Sequence, residues 1–318
     1  MRKISIKFAV LAAAAFFLAS AQLAFAQQDY KTPQDAVDAL VAAAKSNDMK
    51  SALRVFGRDG EEIMSSGDKV ADERARQRFV ASYDAKHQIT MNGERHAILI
   101  IGDNDYPFPV PLLRVRGMWS FDTDEGLREI LYRRIGRNEL NTIQTCLAYV
   151  DAQQDYAAKD RTGAGAGAYA QRFQSEAGKK NGLYWPTAPG EEQSPLGELF
   201  AAAAKQGYRA GEGRAPYHGY YYKILTRQGP AAPGGALDYI VNGKMIGGFA
   251  LVAYPAEYRN SGVMTFMVNN EGTVFQKDLG PGTAATAEAM TAYNPGKGWT
   301  KVDVSTTNSA DGSQPHAN

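Results

Sequence analysis

The chain has 318 residues, 44% hydrophobic and 22% charged, with 35 basic and 34 acidic side chains and a single cysteine. That length suits two domains or one large one. The even charge balance gives nucleic acid or an anionic membrane surface no footing as main partner, and a lone cysteine excludes an intrachain disulfide.

Arg2, Lys3 and Lys7 precede a mostly apolar run from Phe8 to Ala21, which ends at Ala24-Phe25-Ala26. A positive start, a short apolar core and an A-x-A end predict a secretory signal peptide over residues 1–26. The run is short for a membrane-spanning helix of about 20 residues. Its removal takes 26 of 318 residues and three of 35 basic side chains, so 32 basic face 34 acidic groups and the mature net charge is −2. No later segment is long and apolar enough to span a bilayer.

In the mature chain, Thr32 is placed to cap a helix, with Pro33 at its first position and Asp35 three residues after the cap. Val37, Leu40 and Val41 form its apolar stripe. "MKSALRVFG" predicts a second helix ended by Gly57, "EIMSSGDKVAD" a turn region, and residues 71–86 a third helix with Phe79, Val80 and Tyr83 inward. A strand follows at 95–102. In "DYPFPVPLLRVRGMWSFD", Pro107, Pro109 and Pro111 alternate, so their missing N–H groups fall on one side. That segment predicts an edge strand or an extended loop. Trp119 and Phe121 share a parity that faces a core. Asp122 caps the next helix with Glu125 three on; Gly136 is expected to break it, and a longer helix to run from Asn138 to Ala158.

A glycine–alanine linker (163–168) and further loops lead to a short helix from Pro195 to Lys205, with Ser194 as cap. Trp185 lies in the loop "NGLYWPTAPG". The last third is β-rich, with strands predicted at 219–226, 237–242, 247–254, 262–268 and 273–277. "GGFALVAYP" reads as a central buried strand, and Asn269 to Gly272 as the turn of a hairpin. Residues 283–293 predict a closing helix, and 304–318 a disordered tail.

The search for chemistry finds no H-E-x-x-H, G-x-S-x-G, C-x-x-C or EF-hand loop. "GAGAGA" follows a helix, with its glycines misplaced for a dinucleotide fingerprint. The four histidines, His87, His96, His218 and His316, have no ligand partners at metal spacing, so neither a metal nor a cofactor is expected. "MSSGD" (64–68) is the one serine cluster worth naming. Cys146 shares a helical face with Ile143 and Val150, which predicts a buried, inert thiol. In "YHGYYYKIL" (217–225), strand alternation puts His218, Tyr220, Tyr222 and Ile224 on one face. Tyrosine suits either face of a strand, so that face meets either a ligand or the protein's own core.

The segments "DYPFPVPLLRVRGMWSFDTDEG", "EILYRRIGRNEL", "YHGYYYKILTRQGPAAPGGALDY", "GGFALVAYPAEY" and "GVMTFMVNNEGTVFQKDLG" resemble a bacterial family of secreted proteins catalogued as domain of unknown function 2950. The resemblance covers nearly all of residues 30–302 and implies no activity and no catalytic residues. In shape, the N-terminal part is similar to cystatin/NTF2-like α+β layouts, and the C-terminal part to the globular half of pilins and pseudopilins. Pilins carry a specialised leader and a hydrophobic N-terminal helix; here the leader is of the general secretory type and the corresponding helix is internal, which speaks against a fibre subunit.

The expected fold class is α+β. A helical, NTF2-like N-terminal lobe (27–135) precedes a lobe made of a long helix and a pilin-like antiparallel sheet (136–303). The expected function is non-enzymatic binding of an envelope protein or small ligand by a periplasmic or secreted protein, through Trp185, Tyr217, His218, Tyr220 and Tyr222. The rivals are an envelope hydrolase with a site between the lobes, using His87 or His218, and a scaffold of envelope assemblies.

Overall fold

A computed structural model describes residues 27–64, 69–161, 165–205 and 216–304 of the chain. The expected signal peptide, Ser65–Asp68 of the serine cluster, the first glycine of the linker and the polar tail from residue 305, with His316, lie outside the described residues. The chain is α+β, and its described residues divide into two compact units, with the boundary between Leu127 and Arg128.

The first unit opens with α1 (Pro33–Ser46), α2 (Met49–Phe56), the single-turn α3 (Gly60–Met64) and α4 (Lys69–Ala85). Thr32 and Asp35 form a reciprocal capping box, so two N–H groups that α1 leaves unpaired are satisfied from its own sequence. The strands are β1 (His87–Asn92), β2 (His96–Ile101), β3 (Tyr106–Pro107), β4 (Leu112–Val115) and β5 (Met118–Phe121). They pair antiparallel in the order β1-β2-β4-β5, with β3 also on β2. β1 was not expected. Val37, Leu40, Val55, Phe56 and Tyr83 from the helices meet Ala97, Leu99, Ile101, Leu112, Trp119 and Phe121 from the sheet in one core. The helix expected at 71–86, α4, thus turns Tyr83 inward, as its periodicity predicts.

The proline segment behaves as its chemistry requires. Phe108, between two prolines, donates its N–H to the carbonyl of Leu99, 2.7 Å away. The prolines hold the alternate positions, where a donor would point to the other side. Pairing with β5 starts only past the last of them, at Leu112↔Phe121. The outer edge of β5 is covered at Trp119, which exchanges two 2.7 Å backbone bonds with Tyr30. At that residue the edge is already paired and offers no template for a foreign strand.

The boundary between the units falls inside α5 (Thr123–Ala157), one continuous helix of 35 residues. Asp122 accepts the N–H of Glu125 at 3.0 Å and caps it. The expected break at Gly136 does not occur. A helical glycine costs about 1 kcal/mol against alanine, too little to end a helix whose second half is buried in the core of the second unit. Ile143, Cys146, Tyr149, Val150, Ala152 and Tyr156 form the buried stripe of the second unit.

After α6 (Gly197–Lys205) the strands are β6 (Tyr220–Leu225), β7 (Arg227–Gln228), β8 (Leu237–Asp238), β9 (Ile240–Val241), β10 (Lys244–Met245), β11 (Ala250–Pro255), β12 (Met264–Asn269) and β13 (Phe275–Asp278). Helix α7 (Thr283–Ala289) and β14 (Thr300–Lys301) complete the unit. An antiparallel sheet runs β14-β13-β12-β11-β6, with β7–β8 and β9–β10 as separate two-stranded ladders. The strand expected at 237–242 is therefore two short pieces in different ladders. Ser194 is buried but its hydroxyl finds no partner among the described residues, and α6 begins at Gly197, so Ser194 does not cap it. The closing helix stops at Ala289, four residues short of expectation. The hairpin at Asn269–Gly272 forms as predicted, closed by Gly272 N–H to Asn269 C=O at 2.9 Å.

Gly136 has nothing within 4 Å of where a Cβ would stand. Gly136→Ala should therefore stabilise the protein by about 0.5–1 kcal/mol, read as a higher urea midpoint with an unchanged slope. Burial pushes the Cys146 thiol up to about 12. The native protein should leave a thiol reagent such as DTNB unreacted at pH 8 and consume one equivalent once unfolded in urea.

Candidate functional site

The aromatic stretch that stands out in the sequence begins with a turn. His218 (φ 50°) and Gly219 (φ 73°) both occupy the left-handed region, and Tyr217 and Tyr220 exchange backbone hydrogen bonds of 2.9 and 3.0 Å. That is a two-residue turn of the hairpin type, in which both central residues need positive φ. Strand alternation therefore starts at Tyr220, and His218 belongs to no strand face. Gly219 is required twice over. Its φ favours glycine, and a Cβ there would stand 2.7 Å from the Asn138 amide nitrogen and 2.9 Å from the Ser261 Cβ.

From Tyr220 onward the strand is tied to α5 and to its neighbours. Tyr220 is 0% exposed, packs on Phe266, and donates its hydroxyl to the carbonyl of Met264 at 2.9 Å. The Tyr222 hydroxyl lies 3.4 Å from both Thr142 Oγ1 and the carbonyl of Tyr217. Tyr221, on the opposite face, packs on Tyr254, and Lys223 donates to the carbonyls of Glu288 and Met290 at the end of α7. Beside the turn, Asn138 donates to the carbonyl of Ser261 at 2.9 Å. One carboxylate oxygen of Glu139 accepts the N–H groups of Val263 and Met264 at 2.8 and 3.0 Å. Burial raises the Tyr220 hydroxyl well above its ordinary range, and the Glu139 carboxylate adds to the shift. Both tyrosine hydroxyls are kept protonated, so each remains a hydrogen-bond donor.

Tyr217 and His218 remain half-exposed at the tip, with ring centroids 4.1 Å apart. His218 Nδ1 lies 3.3 Å from the Asn141 amide nitrogen. Trp185 stands elsewhere. It is buried against Tyr156, Lys180 and Arg161, at the C-terminal end of α5. Along the helix, Asn141 and Tyr156 are separated by about 22 Å. Tyr217, His218, Tyr220 and Tyr222 thus gather in one place, and Trp185 is not among them. Arg161, its side chain 3% exposed, donates to the Tyr156 carbonyl at 2.7 Å and pairs with Asp155 and Glu192 at 3.2 Å. It satisfies the orphan carbonyls where α5 ends.

The other described histidines are placed apart from this turn in the chain. His87 stacks on Tyr83, centroids 3.8 Å apart, with Nδ1 2.9 Å from the Tyr83 carbonyl. His96 opens β2, opposite Leu113. Among the described residues, no three His, Cys, Asp or Glu side chains stand close enough together to hold a metal ion.

Burial, and then the nearby Arg137, hold the His218 imidazole below its ordinary 6.5. The unfolded chain therefore binds this proton more readily than the folded one. The contribution of His218 to stability should be complete above pH 6.5 and be lost as pH falls through its lower folded value. Thermal midpoints measured from pH 7.5 to 4.5 should show this loss, and His218→Asn should flatten it.

No curated protein and no solved structure matches the chain. The family model described as "Protein of unknown function (DUF2950)" matches residues 27–302, from the first described residue through β14, and the chain belongs to that family.

Proposed function

We propose that the protein is a non-enzymatic binding protein of the cell envelope, periplasmic or secreted, which takes a partner through the Tyr217–His218 tip. The observation that carries this reading is how the tip is built. Its backbone is closed by two hydrogen bonds, Tyr220 and Tyr222 anchor it from within, and Asn138 and Asn141 approach it from α5. The two rings left half-exposed are held in one orientation. Presenting rigid aromatic surface costs little conformational entropy on binding, which is why such rings recur as interface anchors.

The residues around the tip serve the fold rather than a reaction. Asn138 and Glu139 hold backbone groups of the β11–β12 loop, and Tyr220 holds the Met264 carbonyl. The envelope location rests on Arg2, Lys3, Lys7, the apolar run and Ala24-Phe25-Ala26. No helix among the described residues is long and apolar enough to cross a membrane.

A photoreactive phenylalanine analogue in place of Tyr217 should cross-link a distinct envelope component. The same analogue in place of Tyr132, which is 61% exposed on α5, should not. His218→Ala should reduce the yield at position 217 by about fivefold or more, the loss of a hydrogen-bonding anchor of about 1 kcal/mol. Equal labelling at both positions, or a yield indifferent to His218, would sink the proposal. Tyr220→Ala reads folding instead: deleting a fully buried ring costs about 3–5 kcal/mol.

A further inference from the structure

A second surface, in the first unit, is independent of the tip. The β1–β2 hairpin turn and the β4–β5 hairpin turn lie side by side because β2 pairs with β4, Leu113 opposite His96 and Ala97 opposite Leu112. The Arg114 N–H extends this contact to the Arg95 carbonyl at 2.8 Å. Between the two turns runs an open groove of about 480 Å³, lined by Arg95, His96, Arg114 and Arg116, with Glu94 as the one acidic lining residue.

These basic groups are unspent. Among the described residues, none of the three arginines is ion-paired, and the only side-chain hydrogen bond any of them makes is a long one, Arg114 Nε to the Gly117 carbonyl at 3.5 Å. Arg133, Arg161 and Arg172, by contrast, each face a carboxylate. The groove backbone is fixed. Arg116 (φ 52°) and Gly117 (φ 84°) make a tight two-residue turn between Val115 and Met118, and β1 and β2 stay paired up to Asn92↔His96. Three arginines therefore line one volume in a chain whose mature charge is slightly negative.

We propose that this groove binds a phosphate-bearing polyanion. A guanidinium is a planar fork that donates in pairs to phosphate or carboxylate oxygens. A lone carboxylate is satisfied by one fork. Three forks around an open groove suit a ligand with several oxygens on each centre and more than one negative charge. Val115, 53% exposed beside the arginines, leaves an apolar rim that a bare inorganic ion would not use. The same chemistry is presented by a soluble polyphosphorylated compound and by phospholipid headgroups.

The test uses the mature chain, residues 27–318, at low salt, with tripolyphosphate in one arm and phosphatidylglycerol–phosphatidylcholine vesicles in the other. Replacing Arg95, Arg114 and Arg116 together by glutamine should weaken binding by about tenfold or more and flatten its salt dependence. A control that removes the same charge elsewhere, Arg58, Arg74 and Arg78 to glutamine, should change it by less than about twofold. Arg95→Gln alone, which breaks no side-chain bond, keeps the test valid should the triple variant lose stability. Tripolyphosphate binding without vesicle binding identifies a soluble ligand, and vesicle binding lost in the groove variant identifies a headgroup. The proposal is overturned if the two triple variants weaken binding equally, or if the wild-type chain takes up neither probe.

Discussion

The second unit depends on the demands of one strand. Ala250–Pro255 of β11 is buried along its whole length, so its backbone N–H and C=O groups have no access to water. A buried backbone group without a partner costs about twice what a formed bond contributes, so both edges must be paired. β6 and β12 meet that need in continuous register, from Ala250↔Leu225 to Pro255↔Tyr220 on one side and from Ala250↔Asn269 to Ala253↔Phe266 on the other. The apolar stripe of α5, with Ile143, Cys146 and Tyr149, joins the same core, and α7 packs against β11. The place of the Tyr217 turn follows, since it is the turn that opens β6.

Polar side chains then act as fasteners between elements already brought together by burial. Glu139 takes two N–H groups at the start of β12, Lys223 takes two carbonyls at the end of α7, and Gln153 bonds both backbone groups of Ala170 at 2.8 Å. Each is a long side chain reaching backbone, so each converts an orphan of one element into a tie to another. Among the described residues, the arginines of the first-unit groove tie no element to another beyond the long Arg114–Gly117 contact within one hairpin.

Much of this was legible along the chain. The capping box at Thr32, the Asp122 cap, the inward pair Trp119 and Phe121, and the hairpin at Asn269–Gly272 rest on local chemistry, where a few neighbouring residues settle the outcome. β1 was hidden because "HQITMN" is exposed on nearly every side chain and carries no alternation; only its pairing with β2 makes it a strand. Gly136 misled because propensity weighs about 1 kcal/mol per residue, while the packing of the buried half from Ile143 to Tyr156 is summed over many residues. The His218 turn did leave a signal. "YHGY" has glycine second in a two-residue turn, and reading it as strand moved His218 onto a face that does not exist.

The amino-acid sequence by itself determined most of the elements, the caps at Thr32 and Asp122, the Asn269–Gly272 turn, the α+β class and the family, because each depends on contacts between near neighbours or on motifs kept whole. Tertiary structure alone decided which polar groups come together. Arg95 and Arg114 are 19 positions apart in sequence and adjacent only through the β2–β4 pairing, and Asn141 meets His218 across 77 positions. Such meetings depend on which buried faces pack and which edges pair, and no local pattern encodes that choice.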